Sequence, residues 1–166
     1  MESVISAETQ ASIGRQITRT VSYSVAASDI RRWVIAVYWP EPAPKRYLQP
    51  DGAELLAPED FNPFAWAVAE QWPFAAAAIG LEDPDRTERL LGLDGPGLRF
   101  QLHGGLSIDY GSPIAVGDVI TSVATLAGYT EREGSLGLML MTAIDEVWTN
   151  QRGEFIKHSR LNIIRY

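Results

Sequence analysis

From Leu98 to the C-terminus the sequence reads as four strands in succession, and this limits the fold more than any other feature. The segments Arg99–Tyr110, Asp118–Tyr129, Leu136–Trp148 and Glu154–Ile164 carry the strand signal, and the second alternates apolar with small polar residues. The links between them are short: Ser112-Pro113, Glu131-Arg132-Glu133-Gly134 and Asn150–Gly153. Links of this kind join antiparallel neighbours, because a parallel return needs about a dozen residues or more. A long antiparallel sheet is therefore expected, and its apolar face needs a cover.

The cover has to come from the N-terminal part, which is rich in proline, tryptophan and alanine up to Gly95. Thr18–Val25 alternates, with Arg19, Val21, Tyr23 and Val25 on one side and Thr18, Thr20, Ser22 and Ser24 on the other, as in a half-buried strand or an extended arm. Ser28 offers an N-cap, and Ile30, Trp33, Val34 and Val37 recur at helical spacing, so a helix is predicted over Asp29–Val37. Pro40, Pro42 and Pro44 end it, since proline lacks an N–H and restricts the residue before it. Pro58-Glu59-Asp60 then opens a second predicted helix, running to Ala75–Ala78 with Phe61, Phe64, Ala65 and Val68 on one face. Glu82–Glu88 reads as an acidic, exposed connector. The economical packing is an α+β domain whose sheet wraps around the Pro58–Ala78 helix.

Composition removes several classes of function. The 166 residues suit a single domain spanning 1–166, and 46% hydrophobic with 21% charged residues is the balance of a globular chain. Cysteine is absent and only His103 and His158 could supply imidazole, so thiol chemistry is excluded and a metal centre is not expected. A net charge of -7 has the wrong sign for unspecific nucleic-acid binding. No apolar run approaches the roughly 18 residues of a membrane span, and the N-terminus lacks a signal-peptide pattern. A cytoplasmic protein that binds a small molecule or another protein is the expectation.

Four segments add a resemblance to a known family. Ile13-Gly14-Arg15 leads into Val25 and the first helix; Tyr38–Pro44 forms its exit; Leu56-Ala57-Pro58-Glu59-Asp60-Phe61 follows. The most specific is Leu102-His103-Gly104-Gly105-Leu106-Ser107-Ile108-Asp109-Tyr110-Gly111-Ser112-Pro113-Ile114-Ala115-Val116-Gly117-Asp118. In that order they resemble the MaoC-like hydratase/dehydratase family, in its N-terminal, FAS1-like dehydratase type. The resemblance implies a hot-dog fold and chemistry on acyl thioesters of CoA or acyl carrier protein, in which water is added to a 2-enoyl thioester or removed from the (R)-3-hydroxy compound. It implies no cofactor. Active members resemble G-D-x-N-P-[IL]-H, whose aspartate and histidine hold one water and shuttle its protons.

Here the nearest segment is Tyr38-Trp39-Pro40-Glu41-Pro42-Ala43-Pro44. Aligning Pro42 with the motif's proline puts Trp39 at the aspartate and Pro44 at the histidine, and neither can take a proton. Asp60-Phe61-Asn62-Pro63 copies D-x-N-P, but Phe64-Ala65 follow where the histidine should stand. The resemblance thus implies a silent half: a substrate-binding subunit whose partner, a catalytic MaoC-like hot-dog chain, supplies the acid and base, within an oligomer.

On this reading the candidate substrate-binding residues are Trp39, Phe61, Phe64, Trp66, His103 and Gly104, and the candidate phosphate-binding residues are Lys45 and Arg46. Aromatics of this density also suit core packing or a partner interface, His103 a structural role, and Lys45 and Arg46 ordinary surface charge. Other functions stay open at this point: a hot-dog thioesterase, a cone-shaped α+β isomerase or cyclase, or a ligand-binding scaffold with no reaction.

Overall fold

The computed structural model describes residues 3–48, 55–74, 79–134 and 137–166. In chain order the elements are α1 (Ala7–Ala11), β1 (Gln16–Ser22), α2 (Ala27–Tyr38), α3 (Lys45–Leu48), β2 (Val68–Trp72), α4 (Arg86–Leu90), β3 (Gln101–Tyr110), β4 (Ile120–Gly134), β5 (Gly137–Asn150) and β6 (Phe155–Arg165). Among the described residues one sheet holds six strands in the order β2-β1-β4-β5-β6-β3, and each neighbouring pair is antiparallel. The four C-terminal strands expected from the sequence are present, the middle two longer than expected. Glu131–Gly134 lies within β4, paired with β5 as far as Gly134 opposite Gly137, rather than forming the turn.

The helix expected over Pro58–Ala78 is not formed. Residues 58 to 66 run through turns, Val68–Trp72 is the edge strand β2, and Ala75–Ala78 lie outside the described residues. Local chemistry explains part of this: the Asn62 side chain accepts from the Phe64 N–H at 2.9 Å, closing a turn in which a helix would need those amides for itself. Helical spacing of apolar residues is present, but of that face Phe61 is fully buried, Phe64 and Val68 are half-buried and Ala65 is exposed, so no continuous face is covered.

The longest described helix packed on the sheet is α2. It starts earlier than predicted, with Ala26 at the N-cap and the Asp29 carboxylate accepting the Ala26 N–H at 3.1 Å; Ser28 lies inside the helix. Ile30 and Val34 are fully buried and pack with Phe61, Ile120, Trp148 and Ile156 in the larger of two apolar clusters. The second cluster gathers Ile17, Leu91 and Leu126, flanked by Leu90, Leu93 and Tyr129, beneath α4. Glu82–Glu88 is correspondingly no exposed connector. It leads into α4, and Glu88 is fully buried.

β1 is a strand as the alternation suggests, and the structure adds which side of it is buried. Its polar side faces inward: Ser22 is buried and its hydroxyl accepts the Ile120 N–H at 2.9 Å, while Tyr23 stays 62% exposed. Alternation identified the strand but not its buried side, because a serine paired to a backbone amide can be buried at little cost.

Candidate functional site

Register places one set of side chains on the sheet face shared by α2 and α4. On β5 these are Thr142, Ile144, Glu146 and Trp148. Opposite them on β6 stand Ile163, Leu161, Ser159 and Lys157, and on β3 His103, Leu106, Ile108 and Tyr110 continue the same rows. Trp148 lies in the cluster under α2, and Leu126 on β4 lies in the cluster under α4. The two helices therefore cap the two ends of the face. Between them is a groove of about 800 Å³, whose walls include Leu102, Leu106, Ile108, Ile144, Leu161 and Ile163. Its size falls within the range of small-molecule sites, about 300–1,000 Å³.

Polar groups punctuate this apolar surface. At the α4 end, Arg165 forms a two-pronged pair with Glu88, at 2.7 and 2.8 Å, and donates to Thr142 Oγ1 at 2.7 Å. Glu88 in turn accepts the Tyr129 hydroxyl at 2.6 Å; burial, reinforced by this carboxylate, holds the Tyr129 phenol well above its ordinary pKa. Towards the α2 end, Glu146 accepts from Ser122 Oγ at 2.5 Å and Ser159 Oγ at 3.4 Å. Lys157 lies over the Trp148 ring with Nζ 3.4 Å from its centroid. Burial lowers the Lys157 pKa, against the opposing attraction of Glu146 and Asp60.

The structure separates the sequence candidates into two groups. His103 lines the groove, exposed, on the edge strand β3. Gly104 sits beside it in an irregularity of the β3–β6 pairing, where a Cβ would come within 2.9 Å of Ile164 Cγ1 and 3.1 Å of the Asn162 carbonyl oxygen. Gly104 thus permits close strand approach.

The aromatic candidates lie elsewhere, around α2. Trp39 is the C-cap of that helix and is 77% exposed. Phe61 is 1% exposed and meets Trp33 edge-on at 5.8 Å, so it is a core residue and not part of the groove wall. Phe64 packs edge-on against Trp148 at 5.1 Å, and Trp66 against Trp33 at 6.4 Å. Phe61 and Trp66 border a separate hollow of about 180 Å³ beside α2. Lys45 and Arg46 are exposed on α3, where Arg46 donates to the Tyr47 hydroxyl at 3.0 Å; neither borders the groove.

Glu146, Ser122, Ser159 and Arg165 were not singled out from the sequence. Their signal was there as parity. Glu146 stands between Ile144 and Trp148 in the alternation of β5, and Arg165 follows Leu161 and Ile163 in that of β6. A charge that keeps the inward parity of its strand is the mark of a buried or site-facing group.

The last motif segment has a structural task. Asp118, 1% exposed, accepts the Ala115 N–H at 2.9 Å, Gln151 Nε2 at 3.1 Å and an Arg152 guanidinium N–H at 3.0 Å. It clamps the Pro113–Asp118 turn to the β5–β6 hairpin. Among the described residues no group of three or more acidic or histidine side chains is arranged to hold a metal ion, and no helix is long and apolar enough to cross a membrane.

Comparison with known proteins agrees with this architecture. The family model of the FAS1-like dehydratase domain region matches residues 11–159. Among solved structures, the ChsH1–ChsH2 complex from Mycobacterium tuberculosis aligns with a TM-score of 0.61 and 16% identity, over 96% of this chain and 88% of that one. The HadBC (3R-hydroxyacyl-ACP dehydratase) complex from the same organism aligns at 0.52 and 16%, over 92% and 96%. A MaoC-like dehydratase from Rhodospirillum rubrum aligns at 0.50 and 20%, over 93% and 92%. No curated protein matches the sequence significantly. The two helices capping one six-stranded antiparallel sheet thus form an α+β hot-dog fold and not a cone, and the chain belongs to the FAS1-like dehydratase region family, among the MaoC-like proteins.

Proposed function

We propose that this chain is the substrate-binding, non-catalytic subunit of a heteromeric (R)-specific 2-enoyl-thioester hydratase or 3-hydroxyacyl-thioester dehydratase. The observation that carries the reading is the groove of about 800 Å³ on the sheet face between α2 and α4, with leucine and isoleucine side chains along its walls and polar groups between them. It is long and apolar enough for a bulky acyl chain. The exit of α2, where the family's aspartate and histidine would stand, carries Trp39 and Pro44, which cannot exchange a proton.

The partner in this proposal is a MaoC-like hot-dog chain bearing D-x-N-P-[IL]-H, which holds and activates the water. Two structural neighbours, ChsH1–ChsH2 and HadBC, are two-component complexes, which favours this arrangement. Trp39 and Trp66, both exposed beside α2, are proposed to meet that partner, and His103 the thioester end of the substrate. Lys45 and Arg46 lie off the groove, so their proposed ligand is limited to phosphates of CoA or the acyl carrier protein.

The test is affinity purification of the tagged chain from its own host, followed by enoyl-thioester hydration assays on the chain, the recovered partner and their mixture. The expected result is one stoichiometric partner with the missing motif, and activity from the mixture but not from this chain alone. Hydration by the isolated chain, or its recovery only as an inert homo-oligomer, would overturn the proposal.

A further inference from the structure

A groove built only for aliphatic chains would carry an apolar residue at position 146. Its neighbours of the same parity, Ile144 and Trp148, are apolar, and Ile108 and Leu161 flank the same stretch from β3 and β6. Glu146 stands there instead, and the strands on either side answer it. Ser159 is its direct cross-strand partner on β6, and Ser122 reaches it from β4. Both serines are at least nine-tenths buried, at 6% and 4% exposure. Three polar side chains on three adjacent strands thus converge at one point on the floor.

This cluster is incompletely satisfied from within. A carboxylate offers about four acceptor positions. Among the described residues the hydrogen-bond donors to Glu146 are the two serine hydroxyls, one of them long at 3.4 Å. The nearby cation does not close the account, since Lys157 is held over the indole face of Trp148. The remaining acceptor capacity of Glu146 belongs to the groove, whose wall it forms. A purely aliphatic occupant would strip water from that carboxylate and return no hydrogen bond, which is unfavourable.

From this we infer that the groove selects acyl groups bearing a hydroxyl away from the thioester, and that Glu146 is the residue that reads it. The hydroxyl donates to the free acceptor position of Glu146, while the rest of the chain or ring lies against the leucine and isoleucine walls. The inference rests on the acyl-groove reading above and names the substrate class of that same site. Ser122 and Ser159 act as positioning residues that hold the carboxylate in place.

The experiment compares binding of dodecanoyl-CoA with its ω-hydroxy and mid-chain hydroxy counterparts, by titration calorimetry on the full chain and on its complex with the partner. At least one hydroxylated thioester is expected to bind about tenfold more tightly than the parent. Glu146→Leu should remove that preference and strengthen binding of the parent. Glu146→Gln, which keeps the size and can still accept from a serine, should weaken the preference; it secures the test if the leucine variant does not fold. Equal binding of parent and hydroxylated thioesters by the native chain would overturn the inference and leave the acyl groove standing. So would a preference that survives both substitutions. Failure of every thioester to bind, with and without the partner, would overturn both readings together.

Discussion

Arg165 and Glu88, 77 positions apart, face each other across two hydrogen bonds of 2.7 and 2.8 Å, with 1% and 0% of their surface exposed. The pair ties the last residue of β6 to α4, a helix of five residues too short to persist by itself. Pro84 supplies a further acceptor through its carbonyl at 2.7 Å. Removing one partner strands the other as a buried charge, so Arg165→Met or Glu88→Leu alone is expected to cost about 3–5 kcal/mol. The double variant should recover part of that loss, because Asp85 Oδ1, 3.5 Å from Arg165, and the Tyr129 hydroxyl also lose their partners. Urea unfolding of the two single variants and the double variant measures the coupling directly.

Tyr129 links the same pair to pH. Burial and the neighbouring Glu88 carboxylate raise its folded-state pKa above the usual value of 10.0. A raised folded-state pKa means that the contribution is complete below about pH 10 and is lost as pH climbs towards the folded-state value. Tyr129→Phe should therefore flatten the alkaline fall in stability. At neutral pH the same variant should cost about 1.5–3 kcal/mol, the worth of a hydrogen bond to a charged acceptor. Melting temperatures measured from pH 7 to pH 11 would show both effects.

Gly104 tests the strand approach beside His103. A methyl group at this position would press on the Ile164 side chain and on the Asn162 carbonyl oxygen, and backbone oxygen cannot step aside. Gly104→Ala is expected to destabilise by about 1–3 kcal/mol. Gly105 next to it has φ 131°, a value that side-chain-bearing residues rarely adopt. Denaturation midpoints of Gly104→Ala and Gly105→Ala should both fall.

Trp39 separates folding from assembly. With 77% of its surface exposed, Trp39→Ala should change the stability of the chain by less than about 0.5 kcal/mol. Under the proposed heteromer it should weaken partner binding by more than about 1 kcal/mol, as a truncated aromatic anchor does. Analytical ultracentrifugation of native and variant chains with the partner distinguishes the two effects.

The sequence made the C-terminal sheet legible because period-two alternation, short links and turn residues agree there. It was misleading between Pro58 and Ala78, where Phe61 and Phe64 imitate a helical face. In that stretch Asn62 closes a turn and Val68–Trp72 pairs with β1 at the sheet edge. That pairing is decided by tertiary contacts with a strand some fifty positions earlier, which no local pattern encodes. α2 is legible in its helical spacing, but the longer apolar stretch Pro58–Ala78 outweighs it as a cover for the sheet when the sequence is read alone.

The candidate site was legible only in part for a related reason. His103 and Gly104 stood out through the motif they belong to, and they border or support the groove. The aromatic cluster drew attention by composition, yet its packing is directed at α2. Glu146 and Arg165 escaped notice because a single charge in a strand reads as solvent-facing until its parity is counted against its neighbours.

The two end caps have separate cores, one under α2 and one under α4, each joined to the sheet by its own buried contacts. The middle of the face is therefore relieved of the task of keeping the molecule folded. Substitutions at Leu161 or Ile163, which belong to neither core, would alter the shape of the groove while leaving both ends closed. Such a layout leaves the middle of the groove free to change shape at Leu161 and Ile163, while Ile17 and Arg165 at its α4 end keep their structural task.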